Sequence, residues 1–218
     1  MAGLSREQVR RFYDWLGARQ DTQAFYEDAP LSDLVVHSAF EKARSVFEFG
    51  CGTGRFAARL LANVLRPDCV YHGIDISPRM VALAQRRLEP WRDRAGVKLS
   101  AGGMHLTCPD AGFDRFVATY VFDLLAVEDI RVLLAEARRV LAPAGLVCLV
   151  SLTLGATRVA RILTRLWQTT YRSAPRLVGG CRPIELHDGL LRDDWNIRHR
   201  NVVTAFGVSS EVVVAARR

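Results

Sequence analysis

The chain has 218 residues, of which 50% are hydrophobic and 24% charged, with a net charge of +7. That suits one domain, or one domain with a small lid, and supplies enough apolar side chain for a proper core. It excludes a helical membrane span, because no uninterrupted apolar run is long enough, and the amphipathic N-terminus has no signal-peptide core, so the cytoplasm is the expected setting. The positive charge is almost all arginine, Lys42 and Lys98 being the only lysines, and net charge of this kind identifies no particular partner.

In chain order, residues 5–17 place Val9, Phe12 and Leu16 on one helical face behind a Ser5 cap, with Phe12, Trp15 and Leu16 expected to dock on the domain. A less regular segment follows from Asp21 to Phe40. "SVFEFG" then reads as a buried strand and "GRFAARLLANVL" as a helix stopped by Pro67. "CVYHGIDI" is a second strand, and "SPRMVALAQRRLEPW" a helix with Ser77 as N-cap and Pro78 in its first position. "GVKLSA" and "FDRFVATYVF" are the third and fourth strands. The helix "VEDIRVLLAEARRVLA" ends at "PAG", and "LVCLVSLT" is the fifth strand. This alternation predicts an α/β fold, a Rossmann-like doubly wound sheet that is mostly parallel. The last two strand-like runs, "WNIRHRNVVTAFG" and "SSEVVVAARR", meet at a turn around Gly207 with no helix between them. They predict an antiparallel C-terminal hairpin strand at the sheet edge.

Ligands of such sheets bind beyond the C-terminal strand ends, where strand order reverses. The loop Gly50-Cys51-Gly52-Thr53-Gly54 lies there and opens a helix. Its glycines permit close approach, and the helix N-terminus offers free N–H groups. A pyrophosphate loop spaces its glycines G-x-G-x-x-G, and this one is a residue short. Glu48, two residues before the first glycine, would repel a diphosphate and favour an ammonium. Asp75, ending the second strand in "GIDIS", stands where a carboxylate can accept from both ribose hydroxyls. An amino-acid end at Glu48 and a nucleoside end at Asp75 together describe S-adenosylmethionine.

"VFEFGCGTGRFA", "YHGIDISPRMVALAQRRL" and "EARRVLAPAGLVCLVSLT" resemble successive motifs of class I S-adenosylmethionine-dependent methyltransferases, in particular the ubiquinone/menaquinone-biosynthesis C-methyltransferase-like group. The likeness covers roughly residues 45–153 plus the closing hairpin. It implies that Gly50 and Gly52, with Cys51 and Gly54 in the same loop, pass close to the methionine portion of the cofactor. It places the amino group at Glu48, the ribose at Asp75 and the adenine between Ile76 and Met80. The family has an acid after the glycine of the loop following the third strand. This chain has Gly103 there, which leaves the Met104 backbone as the adenine partner.

The acceptor is expected just after the fourth strand, in "TYVFDLL". Tyr120 is expected to cover the cofactor or line the acceptor pocket, and Asp123 is the candidate base; the competing readings are a packed aromatic and a helix cap. Residues 1–44 are expected to form an N-terminal helical lid, bringing Tyr13 or Tyr26 to the substrate, and 45–218 the methyltransferase domain. Within it, 155–194 would be a cover or acceptor-pocket insertion with Arg182 as an anion anchor. The acceptor is expected to be a small molecule attacking through carbon, oxygen or nitrogen. Nucleic acid is set aside, since the aromatics are not interleaved with the arginines. Arg158, Arg161 and Arg165 on one helical face raise a peripheral membrane contact as a further reading. A lone histidine such as His37 reads as structural, and the dispersed cysteines and histidines support no metal site. The alternatives are an RNA or protein methyltransferase, an NAD-dependent oxidoreductase and a non-catalytic cofactor-binding protein.

Overall fold

Seven strands form one sheet in the order β3-β2-β1-β4-β5-β7-β6. The computed structural model describes residues 5–155, 169, 181–186 and 194–218. The strands are β1 Ser45–Phe49, β2 Val70–Asp75, β3 Ala95–Leu99, β4 Phe113–Thr119, β5 Leu141–Leu152, β6 Trp195–Ala205 and β7 Val208–Arg217. The helices are α1 Arg6–Leu16, α2 Ala24–His37, α3 Arg55–Asn63, α4 Pro78–Leu88 and α5 Val127–Val140.

The first five strands run parallel and β7 runs antiparallel to β5. The edge strand is β6, antiparallel to β7, so the single reversed strand lies one place in from the edge. The hairpin turn has positive φ at both Phe206 (50°) and Gly207 (82°), the pairing that a two-residue turn of the primed type requires. Successive residues of the strands feed opposite cores. Val46, Val117, Cys148 and Val214 face α3 and α4 through Phe56, Leu60 and Leu88, while Phe47, Phe116, Leu149 and Val213 face α5 through Ile130 and Leu133. Burial on both faces is why these strands read as apolar runs rather than alternating ones.

Three features depart from the sequence reading. The segment expected to be less regular contains α2, a 14-residue helix with Pro30 inside it. Proline removes one N–H and normally ends the pattern, but here Pro30, Leu31 and Leu34 are buried, and packing outweighs propensity. The fifth strand starts at Leu141, and the pairing jumps from Phe113↔Leu141 to Arg115↔Leu146. The "APAG" residues therefore bulge out of a strand instead of preceding it. Finally, α1 keeps its Ser5 cap, with Ser5 and Gln8 closing a capping box, yet Trp15 is 63% exposed and does not dock as core. Arg158, Arg161 and Arg165 lie outside the described residues. No helix among the described residues is long and apolar enough to cross a membrane.

Candidate functional site

The chain runs outward from β1 to β2 and β3 before crossing back to β4, so strand order reverses between β1 and β4. A cavity of about 820 Å³ opens at the strand ends there, walled by Glu48–Thr53, Ile74–Ile76 and Thr119–Val121, with Arg6, Val9 and Tyr13 of α1 also in its wall. Gly50, Gly52 and Gly54 all have positive φ (75°, 54° and 74°), a region that other residues enter only with strain. They serve different ends. A Cβ on Gly50 would meet Val121 Cγ2 at 2.4 Å, and one on Gly54 would meet the Ala84 backbone at 3.0 Å, whereas nothing lies within 4 Å of one on Gly52. Gly52 is therefore the position where a ligand can approach the backbone. Gly54, expected to contact cofactor, caps α3 and packs α4 instead, outside the cavity wall.

Two carboxylates flank this turn. Glu48 is 1% exposed and accepts from Tyr71 Oη at 2.5 Å. Its register partner on β2 is Gly73, where a Cβ would meet Tyr71 Oη at 2.9 Å and Cys51 Sγ at 3.0 Å. The missing side chain at Gly73 is what lets tyrosine and acid meet. Burial pushes the Glu48 pKa up to about 7, the Tyr71 hydrogen bond opposing this and the Asp75 charge adding to it. Asp75 accepts from Gly52 N at 2.9 Å through Oδ2 and from Ser77 N at 2.8 Å through Oδ1. Burial raises its pKa as well, against the pull of those amides. Each carboxylate oxygen of Asp75 keeps a lone pair for a further donor.

The residues present fit an amino-acid-bearing nucleoside. Gln20 lines the same cavity with its buried Oε1 unpartnered, a further acceptor in the wall. Where the sequence reading expects the adenine, the wall is Ile76, Ser100, Gly102 and Met104. Met80, expected to flank the ring, is buried inside and does not line the cavity. Gly103 is exposed and outside the wall, and its neighbour Gly102 (φ 82°) occupies the place, where a Cβ would press on Ile76 Cδ1 at 2.9 Å.

The first 44 residues contribute contacts that sequence reasoning did not find. Asp21 accepts from Thr53 Oγ1 at 2.6 Å and from Arg87 Nη2 at 2.6 Å, tying the glycine loop to the N-terminal segment. Arg55 bridges Glu27 at 2.8 Å, with all three of Asp21, Glu27 and Arg55 in the cavity wall. Arg6 on α1 reaches Asp129 on α5 at 2.7 Å, and both are in the cavity wall. Ser77 Oγ donates to Asp14 at 2.6 Å while accepting from Met80 N at 3.1 Å. Charged residues on helical faces carry these pairs, and such residues read as solvated until the partner is known.

On the remaining side, Tyr120 lines the cavity at φ 56°, an uncommon conformation for a bulky residue. Its hydroxyl lies 2.9 Å from Ser210 Oγ, and burial holds its pKa well up. Asp123 sits in a short 3-10 turn, fully buried. It does not line the cavity. Ser151 Oγ approaches its Oδ1 at 3.5 Å and its Oδ2 has no partner. Burial pushes its pKa up to about 7, and its charge is felt by Tyr13, Tyr26, Tyr120 and Cys181. Tyr13 lines the cavity with its hydroxyl 3.9 Å from Cys181 Sγ. Tyr26 stays behind the wall, edge-on to Tyr120 with ring centroids 5.9 Å apart. Arg182 is in the wall, but its Nη2 already donates to Leu125 O at 2.5 Å and its backbone to Asp123 O at 3.0 Å.

Residues 46–145 match the model of a family described as "Methyltransferase domain". A demethylmenaquinone methyltransferase of Geobacillus kaustophilus is 32% identical over 119 residues, 54% of this chain and 49% of the relative. A malonyl-[acyl-carrier protein] O-methyltransferase of Halorhodospira halophila is 30% identical over 150 residues, covering 66% of this chain and 48% of the relative. The matches thus span about half the length of these relatives. The N-methyltransferase NodS of Bradyrhizobium japonicum, solved with S-adenosyl-L-homocysteine, superposes with a TM-score of 0.68 at 17% identity over 96% of this chain and 98% of that one. At that identity the superposition speaks for the fold alone. Residues 46–145 thus carry a methyltransferase domain, and the doubly wound, mostly parallel sheet is the fold that the resemblance to class I S-adenosylmethionine-dependent methyltransferases implies.

Proposed function

We propose that the protein transfers a methyl group from S-adenosylmethionine to a small acceptor, and that residues 1–44 close the site as a lid. The observation carrying the reading is the pair of acids around the Gly50–Gly52 turn, Glu48 inside β1 and Asp75 ending β2, both facing one cavity. Bound there, the cofactor supplies a methyl carbon made electrophilic by its sulfonium. Asp75 would hold the ribose hydroxyls, and Glu48 with Gln20 Oε1 would hold the ammonium. Ile76, Ser100, Gly102 and Met104 would bed the adenine. What remains for the chain is orientation, which supplies much of the rate of an in-line displacement.

On the acceptor side Val9, Leu124, Leu125 and Val127 supply an apolar stretch of the wall, beside the charged Arg6, Glu128 and Asp129. That lining suits a lipophilic or conjugated acceptor, and the relatives named above act on a demethylmenaquinone and on a malonyl-acyl carrier. Asp123 is the candidate base. A buried carboxyl titrating near neutrality suits removal of a proton from a weakly acidic acceptor, and since Asp123 lies behind the wall, the proton would pass to it through Tyr13 in the wall. Asp123→Asn is expected to cut turnover by about 100-fold or more while S-adenosylmethionine affinity stays within about threefold. An equal loss in both would make Asp123 part of the packing only.

Calorimetric titration with S-adenosylmethionine, S-adenosylhomocysteine and NAD tests the reading itself. Saturable binding of the two sulfur compounds and none of NAD is expected, followed by an acceptor screen starting with quinols, phenols and lipid amines. NAD binding without either sulfur compound would overturn it in favour of an oxidoreductase.

A further inference from the structure

Far apart in sequence, two imidazoles and a carboxylate meet where α2 packs on β6. Asp33 and His37 are one turn apart near the end of α2, and His199 lies in β6. His199 Nε2 is 2.8 Å from Asp33 Oδ2, and His37 Nδ1 is 3.6 Å from Asp33 Oδ1. The imidazole rings lie face to face, centroids 3.5 Å apart and planes within 4°. Asn201 Nδ2 steadies Asp33 by donating to Oδ1 at 3.3 Å. One ligating atom from each of the three residues falls within 4.8 Å of the other two. None of the three lines the cavity.

A hydrogen bond to Asp33 accounts for His199 by itself. The Asp33 carbonyl, 2.9 Å from His37 Nδ1, holds one edge of the second imidazole, and that side chain, 41% exposed, lies over the other ring in a sandwich, the less favoured way for aromatic rings to meet. What the three groups share is the ability to give an electron pair to one cation. Two imidazoles and a carboxylate are a donor set for zinc and its neighbours in the first transition row; magnesium and calcium prefer oxygen alone.

We infer that Asp33, His37 and His199 form a three-ligand site for a divalent transition metal, with Zn²⁺ as its occupant, clamping the end of α2 to β6. A ligand lone pair lies in the plane of its ring, and parallel planes share no point, so one ring turns when the ion enters. His37, more exposed and at a helix end, is the ring that turns, giving up the approach of its Nδ1 to the Asp33 carbonyl at 2.9 Å. The ion takes the place of the hydrogen between Asp33 and His199, whose imidazole then binds through Nε2 with its N–H on Nδ1. Three protein ligands leave the fourth position to water. The clamp acts on the helix whose earlier turns carry Glu27 and Leu31 into the cavity wall, so it fixes that wall without entering the chemistry.

The test uses the full chain without an affinity tag, stripped with a chelator and titrated with Zn²⁺ against a chromophoric competitor. A single equivalent is expected to bind with a dissociation constant of about 1 μM, with no response to Mg²⁺ at about 1 mM. His37→Gln and His199→Gln are each expected to weaken Zn²⁺ by about tenfold or more, and to lose the rise in melting temperature that the ion gives the parent. Melting curves of the metal-free variants show that they fold, and His37→Gln, at the exposed position, serves if His199→Gln does not. Parent-like Zn²⁺ binding in the variants would place the ion elsewhere on the chain and overturn the proposal, as would the lack of any equivalent bound more tightly than about 1 mM.

Discussion

Asp75→Ala is expected to bind S-adenosylmethionine about 100-fold more weakly than the parent, or worse. Hydrogen bonds to a charged group contribute about 1.5–3 kcal/mol each, and about 1.4 kcal/mol is a factor of ten, so losing two ribose contacts already reaches that figure. A second loss compounds it. Asp75 accepts from the Gly52 and Ser77 amides, so the same carboxylate that would face the ribose also fixes the turn. Without it, Gly52, the loop glycine backed by open space, no longer has its amide pinned. The melting temperature need not fall in proportion, because burial raises the Asp75 pKa, and deleting a desolvated charge offsets part of the lost hydrogen bonding. Asp75→Asn keeps one acceptor oxygen and should fall between parent and alanine variant. Calorimetry with a parallel melt checks this: an Asp75→Ala protein that melts like the parent and binds within threefold of it would remove Asp75 from the cofactor site.

The parts legible in the sequence are those fixed locally. Glu48, the glycine spacing and Asp75 announce themselves because turn geometry and an acid at a strand end constrain single positions. The doubly wound order follows from alternating elements and short connections. What escaped depends on which way a side chain turns, or on a partner far away. Ile76 and Met80 lie on the same stretch, yet the start of α4 sends Met80 inward to the core and leaves Ile76 on the cavity. Asp123 sits just past β4 as expected, but a 3-10 turn buries its carboxyl behind the wall rather than in it. Pro30 hid α2, whose Phe25 and Val36 are exposed while Leu31 and Leu34 are buried, with no clean stripe to mark it as a helix. Arg6 with Asp129, Asp21 with Thr53, and His37 with His199 are pairs that no local spacing could announce.

Affinity for S-adenosylmethionine is also expected to climb with pH up to neutrality and then level, with Glu48 as the titrating group. Its pKa lies at about 7 in the folded protein, against 4.5 for an ordinary glutamate, with burial as the main cause. Between those two values the empty folded protein holds a proton that the unfolded chain has released, so this carboxyl makes folding less favourable as pH rises through the window. An ammonium placed beside it favours the carboxylate, so binding below about pH 7 must expel the proton. Affinity should then fall by up to about tenfold per pH unit on the acid side. Titrations at pH 7 in buffers of different ionisation enthalpy should show the proton leaving. S-adenosylhomocysteine carries the same ammonium and should show the same slope, whereas adenosine, which lacks it, should show none. Glu48→Gln keeps the shape and cannot ionise, so its affinity should be flat with pH and, at pH 8, lower than the parent's by about tenfold or more. If the slope survives in Glu48→Gln, the proton sits elsewhere, and Asp75, also raised by burial, is the group to substitute next.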